Sequence, residues 1–448
     1  MKHALLQAWQ KTLHRCGEKR AIVQAVDGQG ATFRELDERA SAWLTAHTSE
    51  PPSLRGRAVV FAAANGIGWF EIFLGLLKAG SVVVPLDAAE PASAQRTLAE
   101  SLRAGFWWDG TRLVPLAGAK RFRDPDICLI KLTSGSTGRP RPLVFTAGQL
   151  IADGKQVMAT MAIKPHDLNY ALIPLGHSYG LGNLTIPLLA QGVPLICGAA
   201  ALPHAIAADF VRWRPTVFPA VPALWRAVAG SDVVLASLRL GISAGAPLPP
   251  EVARNFVARF GRRLHSFYGS SETGGIAYDS TGQVTLQGGV GRAINGVKLQ
   301  MMAGGRLQVS SAAVTTYGNR ARVEKLGAWI MADAVRWEDR SGLWLLGRRG
   351  SSVKIAGRRV NLAEIGARLR RLTGVEDVWV AVSQNAEPVL GAAVVSSRSA
   401  GELRTELLTD TAAWKVPKKL VVLAALPLTA RGKVDASAAR ARVFGDAT

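Results

Sequence analysis

The stretch Leu132-Thr133-Ser134-Gly135-Ser136-Thr137-Gly138-Arg139-Pro140-Arg141 places hydroxyls, glycines and two guanidinium groups directly after an apolar run, Ile127 to Leu132. Glycines let a backbone turn tightly enough to aim several N–H groups at one anion, and hydroxyls and arginines add further donors. Such a loop suits phosphate binding. It is not the nucleotide loop that ends in Gly-Lys-Ser/Thr, because no such triplet follows at the right spacing. The same composition also describes an ordinary surface turn. A second stretch, Phe267-Tyr268-Gly269-Ser270-Ser271-Glu272-Thr273-Gly274-Gly275, sets one carboxylate among hydroxyls and glycines. Glu272 could hold a magnesium ion among phosphate oxygens, and Tyr268 could pack on a base. A plain glycine-rich turn is the alternative. Asp333 closes the strand-like run Trp329-Ile330-Met331-Ala332-Asp333. There a carboxylate can accept two vicinal hydroxyls or simply cap a turn. Two further groups complete the set: Gly347-Arg348 with Lys354-Ile355-Ala356-Gly357 and Glu364-Ile365, then Pro427-Leu428-Thr429-Ala430-Arg431-Gly432-Lys433-Val434-Asp435. Lys433 in that last loop is either a chemical cation or a solvated surface charge.

The elements that must position these groups follow from the apolar pattern. At 448 residues the chain exceeds one ordinary core. Short Val/Ile/Leu runs alternate with helical patterns in its first part. Strands are expected at Arg57 to Ala63, Ser81 to Pro85, Ile127 to Leu132, Pro194 to Cys197, Val217 to Ala220 and Leu238 to Ser243. Helices are expected at Trp69 to Leu77, Glu90 to Ala104, Ala207 to Arg212, Leu224 to Ala229 and Pro249 to Phe260. That alternation implies parallel sheets covered by helices. After about Gly275 short strands dominate, at Val284 to Leu286, Val297 to Met302, Arg306 to Ser310, Ala328 to Ala332 and Leu343 to Leu346. The run Gly347-Arg348-Arg349-Gly350-Ser351-Ser352 has linker composition. A small mixed unit follows, with helices at Leu362 to Leu372 and Ala400 to Leu408 and strands at Val375 to Val382, Pro388 to Val395 and Lys419 to Leu423. The expected fold class is therefore α/β. It comprises a large N-terminal domain (1–348) of layered, largely parallel sheets with a β-rich subdomain at about 276–346, and a small α+β C-terminal domain (349–448).

Taken together and in order, these stretches resemble the adenylate-forming superfamily: acyl-CoA and aryl-CoA synthetases, luciferases and peptide-synthetase adenylation domains. The resemblance runs from about Ala31 to Asp435 and is closest to acyl- or aryl-CoA and acyl-carrier-protein ligases. Thr32-Phe33-Arg34-Glu35-Leu36 and the segment from Lys78 to Leu86 look like the first two family motifs. Pro174-Leu175-Gly176-His177-Ser178-Tyr179-Gly180 looks like the motif that walls the acyl pocket, and Ser243-Ala244-Gly245-Ala246-Pro247-Leu248 like the adenine-binding segment. The resemblance implies ATP, Mg²⁺ and a pantetheine thiol, from coenzyme A or an acyl carrier protein, as cofactors and co-substrates. It implies phosphate contacts from Thr133, Ser134, Gly135, Ser136, Thr137, Gly138 and Arg141. Adenosine contacts would come from Gly245, Ala246, Pro247, Tyr268, Gly269, Ser271, Asp333 and Arg348. Glu272 would bind Mg²⁺. His177, Gly180, Val221, Gly274 and Gly275 would line the acyl pocket, with His177 also near the reacting groups. Lys433 would bridge the carboxylate and the α-phosphate, and a mobile C-terminal domain would then turn about Arg349 and Gly350 to bring Lys354 and Gly357 to a pantetheine tunnel. Attack of a carboxylate on a phosphate brings two anions together, and Mg²⁺ with a lysine offsets that repulsion.

Several positions depart from the family pattern. Arg141 stands for a lysine, Pro142 for a glycine, Ser271 for a threonine, Trp329 for a tyrosine, Ala332 for a glycine and Gly350 for the hinge residue. A guanidinium is not an ammonium, and proline has no N–H to give. A catalytically degenerate member, or one that ends in a chemistry other than a thioester, is the competing reading. No acidic residue lies between Asn169 and Ala208. A buried ammonium would lack a partner there, so the expected acid is fatty or aromatic and not an α-amino acid.

Composition narrows the partners. The net charge is +21, spread along the chain without a concentrated basic and aromatic face. That suits anionic small ligands or an acidic carrier and gives no support to nucleic-acid binding. Cys16, Cys128 and Cys197 form no metal-ligand spacing, and a cytoplasmic setting is expected. The apolar stretches Val59 to Leu77 and Asn169 to Ala208 are broken by polar residues, prolines and glycines, so no membrane span is expected.

Overall fold

Ala58–Ala62 and Val82–Leu86 are almost wholly apolar, the pattern of strands covered on both faces. In the computed structural model they pair in parallel at the centre of a six-stranded sheet. Residues 3–48, 54–133, 141–302, 305–316, 327–348, 352–355, 358–383, 389–411, 413–429 and 432–445 are described by the structure. The sheet runs, in space, Leu113–Pro115, Phe106–Trp108, Ala58–Ala62, Val82–Leu86, Ile127–Thr133 and Arg141–Thr146.

A nine-stranded sheet lies alongside, in the order Arg292–Ala293, Gly274–Tyr278, Leu264–Ser270, Leu240–Ser243, Val217–Ala220, Asn169–Ala171, Leu195–Cys197, Arg20–Gln24, Gly30–Thr32. Its inner pairs are parallel and its edge pairs antiparallel. One core joins the two sheets through Phe61, Val83 and Leu129 on one side and Ile22, Ala171 and Leu195 on the other. Helix Ile67–Lys78 is apolar almost all round and is buried within that core. Helix Phe33–His47 begins at a capping box. Glu35 N–H donates to Thr32 Oγ1 at 3.1 Å, and Thr32 N–H donates to Glu35 Oε2 at 2.8 Å. Thr32-Phe33-Arg34-Glu35-Leu36 is thus a helix start. Helix Ala147–Met161 starts the same way at Thr146 and Gln149.

The β-rich part is a four-stranded antiparallel sheet of Lys298–Met302, Arg306–Ser310, Ala328–Glu338 and Gly342–Arg348. Two expectations are corrected here. Residues Val284 to Leu286 are not a strand, because Thr285–Gln287 is a 3-10 turn. The Asp279 carboxylate fixes it by accepting the Thr285 N–H at 2.7 Å and its hydroxyl at 2.9 Å, and Gly288 then reverses the chain at φ 93°. Gly347 and Arg348 belong to a strand and not to a linker, since Asp333 and Arg348 stand in register across the last pair. The helix expected from Glu90 to Ala104 is trimmed to Ala92–Ser101, after Pro91 and before Arg103 at φ 52°.

From residue 360 onward the chain builds its own cores. Val360, Ile365, Leu369, Val378, Leu390, Val394 and Leu407 form one, and Ala393, Leu426 and Val443 belong to another. Helices Leu362–Arg371, Ala400–Asp410 and Ala436–Phe444 surround the strands Val375–Val382, Leu390–Ser396 and Lys419–Leu423. Among the described residues no helix is long and apolar enough to cross a membrane.

Candidate active site

The loop around Glu272 is tied down from four directions. Its own Ser270 hydroxyl accepts the N–H of Glu272 and of Thr273, each at 3.2 Å. Thr315, in the β-rich part, donates its N–H to Glu272 O at 2.9 Å and its hydroxyl to Val144 O at 2.7 Å, linking the loop to strand Arg141–Thr146. Ser178 Oγ donates to Ser271 Oγ at 2.9 Å, which joins the His177 turn to the same loop. Gly275 N–H donates to Asp153 Oδ1 at 2.9 Å, from helix Ala147–Met161. A half-buried carboxylate, Glu272, is thereby held on a fixed backbone.

Asp153 was invisible to sequence reasoning as a site residue, and its position is informative. It is buried and packs behind Gly182 and Gly274. Burial pushes its carboxyl up, against the pull of Lys131 and the Gly275 N–H. Bonded and covered, Asp153 is not presented to a substrate. Gly274 has φ 71°, and a Cβ there would run into the Asp153 carboxylate. Gly274→Ala is therefore expected to destabilise the protein by about 3 kcal/mol, from left-handed backbone strain plus overpacking. Urea unfolding of the two proteins measures it.

Lys131 shares that neighbourhood. Burial lowers its ammonium from the usual range, while Asp153 and Glu272 oppose the shift. A charge inside the otherwise apolar run Ile-Cys-Leu-Ile-Lys-Leu-Thr was the signal that could have flagged it.

Tyr268 and Asp333 meet as a pair. The buried phenol donates to Asp333 Oδ2 at 2.6 Å, fixing a half-buried carboxylate at a bend of the long strand Ala328–Glu338. Tyr268→Phe is expected to raise the KM for ATP about 5- to 10-fold with little change in the KM for the acid, because one hydrogen bond to a charged group is lost. Initial-rate kinetics in both substrates would separate the two.

The remaining candidates lie on two elements, the His177 turn and the end of strand Leu240–Ser243. The His177 turn starts a helical segment, Ser178–Gly180, which continues into two π-helical stretches, Leu181–Thr185 and Pro187–Gln191. Gly180 is packed so closely under Pro174 O that a side chain would not fit. Tyr179 donates to Ile242 O at 3.1 Å and packs on Phe267 with ring centroids 6.2 Å apart. Gly245, Ala246 and Pro247 are exposed at the end of strand Leu240–Ser243. A Cβ at Gly245 would lie 3.6 Å from Val221 Cγ1. Two cavities open next to Asn65, of about 430 and 130 Å³, and the smaller abuts the His177 turn through Pro174, Leu175 and Gly176.

The C-terminal unit closes on the same side. Thr429 N–H donates to Lys433 O at 2.7 Å and Gly432 N–H to Thr429 O at 2.9 Å, with Gly432 at φ 68°. A Cβ on Gly432 would stand 3.1 Å from Val221 Cγ2. The exposed Lys433 therefore follows directly on a contact with Val221, next to Gly245. The docking is held by charges from both sides. Arg226 donates to Glu376 O at 3.3 Å and faces Asp377 at 3.8 Å, close to Glu251, whose carboxyl burial pushes up.

Some expected residues cannot be placed. Ser134, Gly135, Ser136, Thr137, Gly138, Arg349, Gly350 and Gly357 lie outside the described residues. Thr133 ends its strand opposite Arg141, which is exposed with Pro142 at the sheet edge. Lys354 lies on strand Ser352–Ile355, in register with Arg359. No group of three or more His, Cys, Asp or Glu that could hold a metal ion gathers among the described residues.

A two-sheet core, one tethered carboxylate, a Tyr–Asp pair and Lys433 from the far end of the chain are compatible with an acid-activating, nucleotide-using enzyme. Comparisons with known proteins agree. Residues 112–308 match the family model described as "AMP-binding enzyme". Over 469 residues the chain is 29% identical to a feruloyl-CoA synthase of Amycolatopsis sp, covering 93% of this chain and 95% of that one. It is 28% identical to the non-canonical peptide synthetase CymA of Salinispora arenicola, where it covers 91% of this chain and spans 6% of that protein's length. ATP-bound MatB from Rhodopseudomonas palustris superposes with a TM-score of 0.82 at 20% identity, covering 98% of this chain and 99% of that chain. This chain is thus similar to AMP-binding enzymes over residues 112–308 and to an acyl-CoA synthase along most of its length.

Proposed function

We propose that this protein uses ATP to convert a carboxylic acid to an acyl-AMP, releasing pyrophosphate, and then passes the acyl group to a pantetheine thiol. The observation that carries this reading is the convergence on Val221 and Gly245 of Gly432 and Lys433, from the far end of the chain. In this reading Glu272 holds the Mg²⁺ that arrives with ATP, a role that a single fixed carboxylate fits. Tyr268 keeps Asp333 in place for the ribose hydroxyls, with Arg348 beside it in register. The exposed segment Gly245–Pro247, with Gly269 and Ser271, borders the adenosine. Thr133, residues 134–138 and Arg141 face the phosphates. Lys433 stabilises the charge that builds as the carboxylate approaches the α-phosphate.

The acid belongs to the fatty or aromatic class. His177, Gly180, Val221, Gly274 and Gly275, with Tyr179 and Phe267 packed nearby, give an apolar and aromatic wall without an available carboxylate. The feruloyl-CoA synthase relative favours the aromatic branch. Residues 1–348 form the adenylating core and 349–448 a lid that turns about Arg349 and Gly350, after which Lys354 and Gly357 face the thiol. Coenzyme A is the acceptor favoured by the relatives, and an acidic carrier protein presents the same thiol. The three cysteines are buried and unpaired, which fits a reducing, cytoplasmic setting.

The test supplies MgATP and coenzyme A with benzoic, cinnamic, medium-chain fatty and α-amino acids, and measures AMP and thioester together. Equal AMP and thioester with an aromatic or fatty acid is the expected result. AMP without thioester would point to a different second step, and turnover with α-amino acids alone would contradict the pocket assignment.

A further inference from the structure

Strand Ile127–Thr133 carries one charged residue, Lys131, and it is 4% exposed. Side chains alternate along a strand, so Lys131 shares a face with Leu129 and Thr133 and turns away from Ile130 and Leu132. Across the antiparallel pair Leu129 stands opposite Phe145, Lys131 opposite Leu143 and Thr133 opposite Arg141. From the core outward this face therefore passes from apolar side chains to a buried ammonium, and then to the Thr133 hydroxyl and the exposed Arg141 guanidinium.

The Lys131 ammonium lies 4.3 Å from the Phe145 ring centroid. Among the described residues it closes no hydrogen bond, and no ion pair within 4.0 Å. The charges that face it are Asp153 and Glu272. Asp153 already accepts the Gly275 N–H. A buried ammonium that rests on a ring face and completes no salt bridge costs stability, and the cation–π contact returns only part of that cost. A charge kept at such a cost close to the tethered Glu272 carboxylate marks a functional position.

We propose that Lys131 is a nucleotide-phosphate ligand, binding the β,γ-phosphate end of ATP that leaves as pyrophosphate. The proposal rests on the adenylation reading above. Two residues of strand advance about 6.6 Å, a gap that the flexible four-carbon stem of lysine can span. At the outer edge of the same face Arg141 carries an exposed cation. Lys131 supplies a second from beneath, where low dielectric strengthens its attraction to phosphate.

The test measures equilibrium binding of MgATP and of AMP, and the melting temperature, for the full chain carrying Lys131→Met or Lys131→Arg. The proposal expects Lys131→Met to weaken MgATP about 10- to 100-fold. AMP, which lacks the β- and γ-phosphates, should change less than about 2-fold, since a factor of 2 is well under 1 kcal/mol. The melting temperature should stay or rise, because a methionine of similar shape removes a buried charge. Lys131→Arg should keep MgATP binding within about 5-fold of wild type. Equal effects on MgATP and AMP, an unchanged MgATP affinity, or failure of Lys131→Met to fold would each overturn the proposal and leave Lys131 a structural partner of Asp153. If wild-type protein binds MgATP but exchanges no pyrophosphate with any acid, the adenylation reading fails instead, and the MgATP-to-AMP ratio still decides the role of Lys131.

Discussion

Replacing Lys433 with alanine should cut carboxylate-dependent acyl-AMP formation about 10²- to 10³-fold, the loss seen when one preorganised donor to a developing charge is removed. The geometry sets the form of the defect. Lys433 follows Gly432, which has a left-handed backbone, bonds to Thr429 and lies against Val221. The lysine is exposed, so its removal should leave stability and MgATP affinity nearly intact. It should also spare the second half-reaction, since thioester formation from supplied acyl-AMP needs no cation between two anions. Single-turnover assays of the two half-reactions would show a large loss in the first and little in the second. A matching loss in both would move Lys433 out of the adenylation step.

Glu272→Gln should lower adenylation about 100-fold, equivalent to nearly 3 kcal/mol of transition-state stabilisation. The amide keeps the shape and the backbone bonds to Ser270 and Thr315 that fix the loop, and removes only the charge. The defect should therefore be relieved in part by raising Mg²⁺, with the half-saturating concentration shifted upward. A loss of activity that added Mg²⁺ does not touch, with a falling melting temperature, would make Glu272 a structural residue.

Much of this was legible in the sequence, for identifiable reasons. Apolar runs bounded by glycine and proline gave Val217–Ala220, Val375–Val382 and Lys419–Leu423 at their observed limits. Glycines mark close approaches, and those at 180, 274 and 432 stand where a Cβ would meet Pro174, Asp153 and Val221. Residues 284–286 misled, because a Val-Thr-Leu run looks like a strand until the Asp279 carboxylate claims Thr285. What no local pattern reveals is partnership at long range. Thr315 holds Glu272 O, Asp153 holds Gly275 N, and Arg226 faces Asp377, each joining segments that only the folded sheets bring together. Lys131 is intermediate: its oddness shows in the strand, and its neighbours Asp153 and Glu272 do not.

The most direct measurement is carboxylate-dependent exchange of labelled pyrophosphate into ATP across aromatic, fatty and α-amino acids. Acid activation through an acyl-AMP predicts exchange with one or more aromatic or fatty acids, strict dependence on Mg²⁺, and loss of the signal in Lys433→Ala. Absence of exchange with every acid, in a protein shown to bind MgATP, would contradict it and identify a protein that keeps the nucleotide site without the chemistry.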